Sequence, residues 1–254
     1  TGTVFEWYDF YLYATLVPFF AALFFPPGNQ TWALLGALAA YAAGFLVRPF
    51  GALLFGRLGD IWGRKYTFLV TVMVMGIATF LVGLLPTYAT IGELAPWLLV
   101  SIRLLQGLAL GGEYGGAATY VAEHSAHDRR GYNTSWIQTT ATIGFFLALL
   151  VIGLLRFGMD PTEFKSWGWR IPFFIGAAFA VVALFLRASL TETSSAESRS
   201  RKEAGSLREI FKHHTRAFLI VLGFTAGGSL IFYTFTTYMQ KYLINTAQDR
   251  KSVV

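Results

Sequence analysis

The chain has no cysteine, which excludes a disulfide framework and a thiolate metal site. Charge is scarce as well. Lys, Arg, Asp and Glu make up 13% of 254 residues, against about 25% in a soluble domain. By contrast 55% of the residues are hydrophobic and 17% aromatic. A single soluble core cannot absorb that much apolar surface, so the composition points to an integral membrane protein. The net charge of +6 does not imply nucleic-acid binding. The basic residues sit in short stretches between apolar runs, where Lys and Arg set membrane orientation. Histidine is sparse too: His124 and His127 lie beside Glu123 and Asp128, and His213 and His214 stand in a polar stretch. Nothing dry or rigid surrounds either pair in the sequence, so both read as solvated loop histidines and not as a metal site. No Ser–His–Asp or other hydrolytic arrangement is present. No enzyme activity, metal or cofactor is expected.

What the chain has in quantity is long apolar runs. A spanning helix needs about 20 apolar residues, and seven candidates appear: Thr3–Phe25, Trp32–Phe55, Tyr66–Leu85, Ala95–Val121, Trp136–Leu155, Ile171–Leu186 and Ala217–Leu243. The sixth is short and is expected to extend back through Trp167–Trp169. Counting Lys and Arg in the connections gives twelve in the 2–3, 4–5 and 6–7 loops, and three, all in the 5–6 loop, on the other side. That bias predicts that the even-to-odd loops are cytoplasmic. The 6–7 loop is the one long polar stretch. Thr191–Gly205 reads as a linker, and Ser206 with Glu209 fits a capping box. The small apolar face of Leu207, Ile210 and Phe211 predicts a short helix on the inner membrane surface.

Between the second and third runs lies Gly56-Arg57-Leu58-Gly59-Asp60-Ile61-Trp62-Gly63-Arg64-Lys65. A charged, glycine-punctuated turn between two membrane-length runs must lie in water. Glycine lets it be tight, and the Asp60 carboxylate is expected to pair with a guanidinium or to cap the next helix. The positions Gly56, Leu58, Asp60, Gly63, Arg64 and Lys65 resemble the helix 2–3 loop of the major facilitator superfamily of transporters. Ile61 stands where the family often has a basic residue. The resemblance implies an all-α membrane protein of the major facilitator fold. Here that is the N-terminal six-helix half (1–186), a cytoplasmic linker with an interfacial helix (187–216), and helix 7 (217–247) opening the second half. A seven-helix facilitator lacks most of its second half, so the chain is expected to be a truncated piece, with 248–254 a non-native tail.

Ionisable groups inside a membrane are costly and need a reason. Asp9 in span 1, Arg48 in span 2, Arg103 and Glu113 in span 4 and Lys241 in span 7 are such groups. They either neutralise one another structurally or serve function; Glu6, near the chain start, is read as structural. Span 4 also repeats glycine at Gly107, Gly111 and Gly115, and at Gly112 and Gly116, a spacing that lets another helix approach closely. This run is not a phosphate loop, because no strand precedes it and no Lys-Ser or Lys-Thr follows. Arg103, Gln106 and Gly107, followed by Glu123 and Arg130-Gly131, resemble the facilitator pattern from helix 4 into the 4–5 loop. In proton-coupled members an arginine at the position of Arg103 is linked to a helix 1 carboxylate, and Asp9 is placed to fill that part. The same resemblance gathers Gly56, Asp60, Gly63, Arg64, Lys65, Glu123, Arg129 and Arg130 into a charge cluster that latches the inner gate.

Four further stretches resemble the metabolite:proton symporter family of bacterial inner membranes: Glu6–Phe10, Ala43–Gly51, Gly111–Tyr120 and Trp167–Pro172. The resemblance implies import of a small dicarboxylate such as 2-oxoglutarate with protons, by alternating access. Siblings carrying proline and betaine, citrate or shikimate remain alternatives. The residues independently suit an anion: Arg103, Arg48 and Lys241 supply cations, and arginine matches a planar carboxylate. Gln106, Tyr8, Tyr11 and Tyr233 are candidate hydrogen-bond donors, though packing is the plainer use of any single tyrosine. Asp9 and Glu113 are the expected proton carriers. The implied partners are the anionic substrate, protons and the bilayer, with a monomer expected at full length.

Overall fold

The computed structural model describes residues 2–188, 211–235 and 239. The chain divides into two compact units, Thr1–Gly205 and Ser206–Val254. The first unit is a bundle of α1 (Gly2–Phe24), α2 (Gln30–Leu46), α3 (Arg48–Trp62), α4 (Arg64–Leu84), α5 (Tyr88–Ile91), α6 (Leu94–His124), α7 (Arg130–Gly158), α8 (Pro161–Ser166) and α9 (Ile171–Ala188). Of the second unit, α10 (Thr215–Tyr233) is described. Among the described residues seven helical segments are long and apolar enough to cross a membrane, one for each run read from the sequence. The sixth runs from Gly168 to Ala188, through Trp169 as expected.

Helix α1 runs through the middle of its bundle. Tyr8, Leu12, Tyr13, Leu16, Phe20 and Phe24 are fully or almost fully buried, against α7, α2 and α9. Their spacing of three and four residues is one stripe of a helix. The bundle's outside is apolar, as lipid requires: Phe157 and Phe185 are largely exposed.

The second span is two helices. Asn29 caps α2, its Oδ1 accepting from the Thr31 and Trp32 amides at 3.0 and 3.2 Å. The helix then breaks at Val47, because Pro49 has no N–H to continue the ladder, and α3 starts at Arg48 with proline in its first turn. The break puts Arg48 at a helix start, inside the bundle.

The expected glycine-rich turn is almost entirely helical. Between Trp62 and Arg64 only Gly63 leaves the helix, at φ 105°, a conformation that glycine adopts without steric cost. Asp60 therefore sits in the last turn of α3 and does not cap α4, which starts with no side-chain cap. Arg187 is the second departure. It was counted as a loop residue, yet α9 carries it to the penultimate position, 8% exposed. Leaving out this one buried residue, the count becomes eleven against three and keeps its sign. The predicted Ser206–Glu209 capping box and surface helix lie outside the described residues.

Candidate functional site

Three side chains from two helices meet on Asp9 of α1. The Thr79 hydroxyl of α4 donates to Oδ1 at 2.9 Å. From α6, Arg103 Nη1 donates to Oδ2 at 3.2 Å and Gln106 Nε2 at 3.1 Å. Gln106 Nε2 also lies 3.0 Å from the Thr79 hydroxyl. Arg103 and Gln106 are three apart on one helix, so they share a face. Asp9, Thr79, Arg103 and Gln106 are all at most 5% exposed. The sequence paired Asp9 with Arg103 and placed Gln106 near by; Thr79 it missed, because an apolar run with a threonine carries no signal.

Buried polar atoms remain over. Arg103 Nε and Nη2 and Gln106 Oε1 have no hydrogen-bond partner. The Arg103 guanidinium lies 4.0 Å over the Tyr13 ring, a cation–π contact. Beside it is a cavity of about 20 Å³ lined by Asp9, Phe10, Tyr41, Arg48, Arg103 and Gln106, among others. That space suits a water molecule, not a dicarboxylate. Arg48 reaches its edge, with its guanidinium 4.1 Å from the Phe45 ring centre and 4.7 Å from Phe10. Two guanidinium groups thus border one small cavity.

The tyrosines go elsewhere. Tyr8 is fully buried and donates to the Pro172 carbonyl at 2.9 Å. Its hydroxyl therefore ties α1 to α9 and does not line the cavity. Tyr11 packs among Trp7, Phe10 and Phe145. The Tyr233 side chain and Lys241 lie outside the described residues.

A second buried charge cluster stands apart from the first. Arg187 of α9 pairs with Glu113 of α6 and, at 3.5 Å, with Glu6 of α1. Sequence reasoning gave Glu113 no partner. The signal was present: Phe173, Gly176, Ala180, Ala183 and Arg187 are all buried and follow the three-four spacing of one helix face.

At the Gly63 end, Arg64 meets Glu123 at 2.5 Å. Of the other residues expected in the latch, Arg129 and Arg130 point to different surroundings. Arg129 meets only its neighbour Asp128, at 3.9 Å, and both are largely exposed; Arg130 is exposed at the start of α7. Asp60 and Arg64 line a cleft of about 170 Å³ together with Gly56, Gly59, Gly111 and Gly112. Arg64 and Glu123 are partly exposed, and exposed pairs contribute about 0–1 kcal/mol. Glu123→Gln is therefore expected to change thermal stability little, by a shift within that range. A collapse of the fold on melting would show the latch to be more than a surface pair. Among the described residues no group of acids and histidines is placed to hold a metal ion.

Residues 1–211 match a family profile described as "Sugar (and other) transporter". The chain is 51% identical over 247 residues to the alpha-ketoglutarate permease of Escherichia coli K12, covering 97% of this chain and 57% of the permease. It is 37% identical to the proline/betaine transporter of Salmonella typhimurium, covering 95% and 51%. In fold it resembles a structure of the major facilitator superfamily proton:xylose symporter XylE bound to 6-bromo-6-deoxy-D-glucose, with TM-score 0.68 at 18% identity, covering 95% of this chain and 54% of the other. The chain spans a little over half the length of these relatives.

Proposed function

Since the chain belongs to the sugar (and other) transporter family, within the major facilitator superfamily, we propose that it serves in a proton-coupled symporter of the bacterial inner membrane. The symporter imports a small dicarboxylate, with 2-oxoglutarate the favoured substrate, by alternating access. The observation that carries the reading is the buried Asp9–Arg103 pair with donors left over beside a small cavity that Arg48 also borders. Arg103 is the counter-charge of Asp9 while no anion is near. A substrate carboxylate at the edge of the cavity takes over the unused Arg103 donors and, with its other end, Arg48. Asp9 then loses its counter-charge and takes up a proton, because an unpaired buried carboxylate is costly. Substrate and proton thereby enter together. The 51% identity to a 2-oxoglutarate carrier supports this substrate class; the 37% identity to a proline/betaine transporter supports a zwitterion instead.

Competition separates the two. Uptake of labelled 2-oxoglutarate into proteoliposomes is expected to be suppressed by unlabelled 2-oxoglutarate, and not by equal betaine or proline. Suppression by betaine alone would transfer the reading to the zwitterion carriers.

A further inference from the structure

Glu6, Glu113 and Arg187 bring together two carboxyl groups and one guanidinium, and among the described residues no other charged group pairs with them. Glu6 is 3% exposed, Glu113 1% and Arg187 8%. Arg187 Nη2 reaches both carboxyls, while its Nη1 lies 3.4 Å from the Phe68 carbonyl. Glu6 Oε2 has no hydrogen-bond partner. Among the described residues no second cation pairs with either carboxyl; α3, which packs on α6, carries Arg48 beside the Asp9 cavity and the exposed Arg57, and Lys65 stands at the start of α4. Helix α4 sends Arg64 to Glu123 and has no ionisable side chain from Thr67 to Leu84; α7 has none from Asn133 to Leu155. On α1 the nearest acid is Asp9, whose partner is Arg103 on α6. Arg187 is the one basic residue of α9. Asp9 and Arg103 balance each other; Glu6, Glu113 and Arg187 leave one negative charge over. Two carboxylates sharing one buried site do not both stay ionised, and one proton between them removes the excess.

The surroundings give that proton a route. Arg187 lines a cleft of about 280 Å³ at the Gly63 end, with Thr3, Tyr120, Asn133 and Thr140 among its walls. On the other side, Glu6 and Thr79 border the same void of about 10 Å³, close to the space one water needs. Thr79 donates to Asp9.

We infer that Glu6, Glu113 and Arg187 form a second proton-binding site, holding one proton between the two carboxyl groups and exchanging it with the Gly63-end cleft. It is the acceptor for the proton that leaves Asp9. The proton passes from the Asp9 carboxyl through the Thr79 hydroxyl and a water to Glu6, as Glu113 releases its own to the cleft beside Arg187. No bond other than O–H forms or breaks, and the charge of the cluster is unchanged. This use in transport rests on the proton-coupled reading above; the proton on the cluster does not.

The test is infrared spectroscopy of the chain in liposomes at neutral pH, reading the protonated carboxylic C=O band that shifts on exchange into D₂O. Wild type is expected to show one such band. Asp9→Asn is expected to keep it, and Glu6→Gln and Glu113→Gln each to lose it, because the remaining carboxylate then balances Arg187 alone. No band in wild type overturns the inference, as does a band that persists in both glutamine variants. A band lost in Asp9→Asn and kept in the others assigns the proton to Asp9 and overturns it too. The reading of Asp9 is tested separately in the same samples. If 2-oxoglutarate adds no second carboxylic band to wild type, the substrate-coupled protonation of Asp9 fails while the Glu6–Glu113 site stands.

Discussion

Asp9→Asn is expected to abolish uptake driven by a pH gradient while leaving exchange of labelled for unlabelled substrate. Asparagine keeps the size of the side chain and an acceptor for Thr79 and Gln106, but takes no proton. Arg103 then has no titrating partner, so anion binding is no longer linked to protonation. A group that transfers a proton is commonly worth about 10²–10⁴ in rate, and a loss of at least about a hundredfold in gradient-driven uptake is the expected scale. The variant also leaves Arg103 buried without a counter-charge, which costs about 3–5 kcal/mol. A lower melting temperature is thus expected alongside, and uptake must be normalised to folded protein in the membrane. Full pH-driven uptake by Asp9→Asn would remove Asp9 from the mechanism.

The second large effect is on folding, and adjacent glycines of α6 divide sharply in it. A Cβ on Gly111 would strike the backbone carbonyl of Arg48, and one on Gly107 the carbonyl of Gly44. Both neighbours are main chain at the α2–α3 break and cannot turn aside as a side chain can. Gly111→Ala is therefore expected to destabilise at or above the upper end of the roughly 1–3 kcal/mol typical of overpacking. Gly115 lies one turn on and would meet nothing within 4 Å. Gly115→Ala is expected to be neutral or to stabilise by up to about 1 kcal/mol, since alanine is the better helix former. Thermal melting of the two proteins in detergent checks the contrast. Equal melting temperatures would mean that α6 does not pack on α2 and α3 by close backbone approach.

These two cases mark how far the sequence could be read. The apolar runs gave seven spans, because lipid imposes length and composition on every crossing segment. The charges inside those runs were visible, since each is an exception to its surroundings, and Asp9 and Arg103 meet as read. What could not be read was the third coordinate. The glycine repeat of span 4 was plain, but nothing in it told Gly111, pressed on Arg48, from Gly115 in open space. Glu113 lacked a partner because Arg187 stands 74 residues away at the end of a helix, where a polar linker begins and a buried arginine looks like a loop one. Tyr8 was read as a substrate donor because a tyrosine's sequence context does not reveal which way its hydroxyl points; the Pro172 carbonyl claims it. Gly56–Lys65 was expected to be a turn from its glycines, yet Gly63 alone turns the chain, and the others sit inside α3.

The charge of the substrate sets the arithmetic of coupling. A dianion entering with one proton carries one negative charge inward, against about 2.3 kcal/mol per 100 mV, whereas two protons make the step neutral. On the route inferred above, Asp9 and the Glu6–Glu113 pair act in series and hand on one proton, so a second proton has to enter by another turn of the same relay.

The most direct test of the central claim is paired flux. External pH and labelled 2-oxoglutarate uptake would be recorded together in weakly buffered proteoliposomes. The account predicts that adding 2-oxoglutarate makes the outside alkaline in step with uptake, and that a protonophore stops accumulation against the gradient. Uptake with no pH change, and no response to the protonophore, would contradict it.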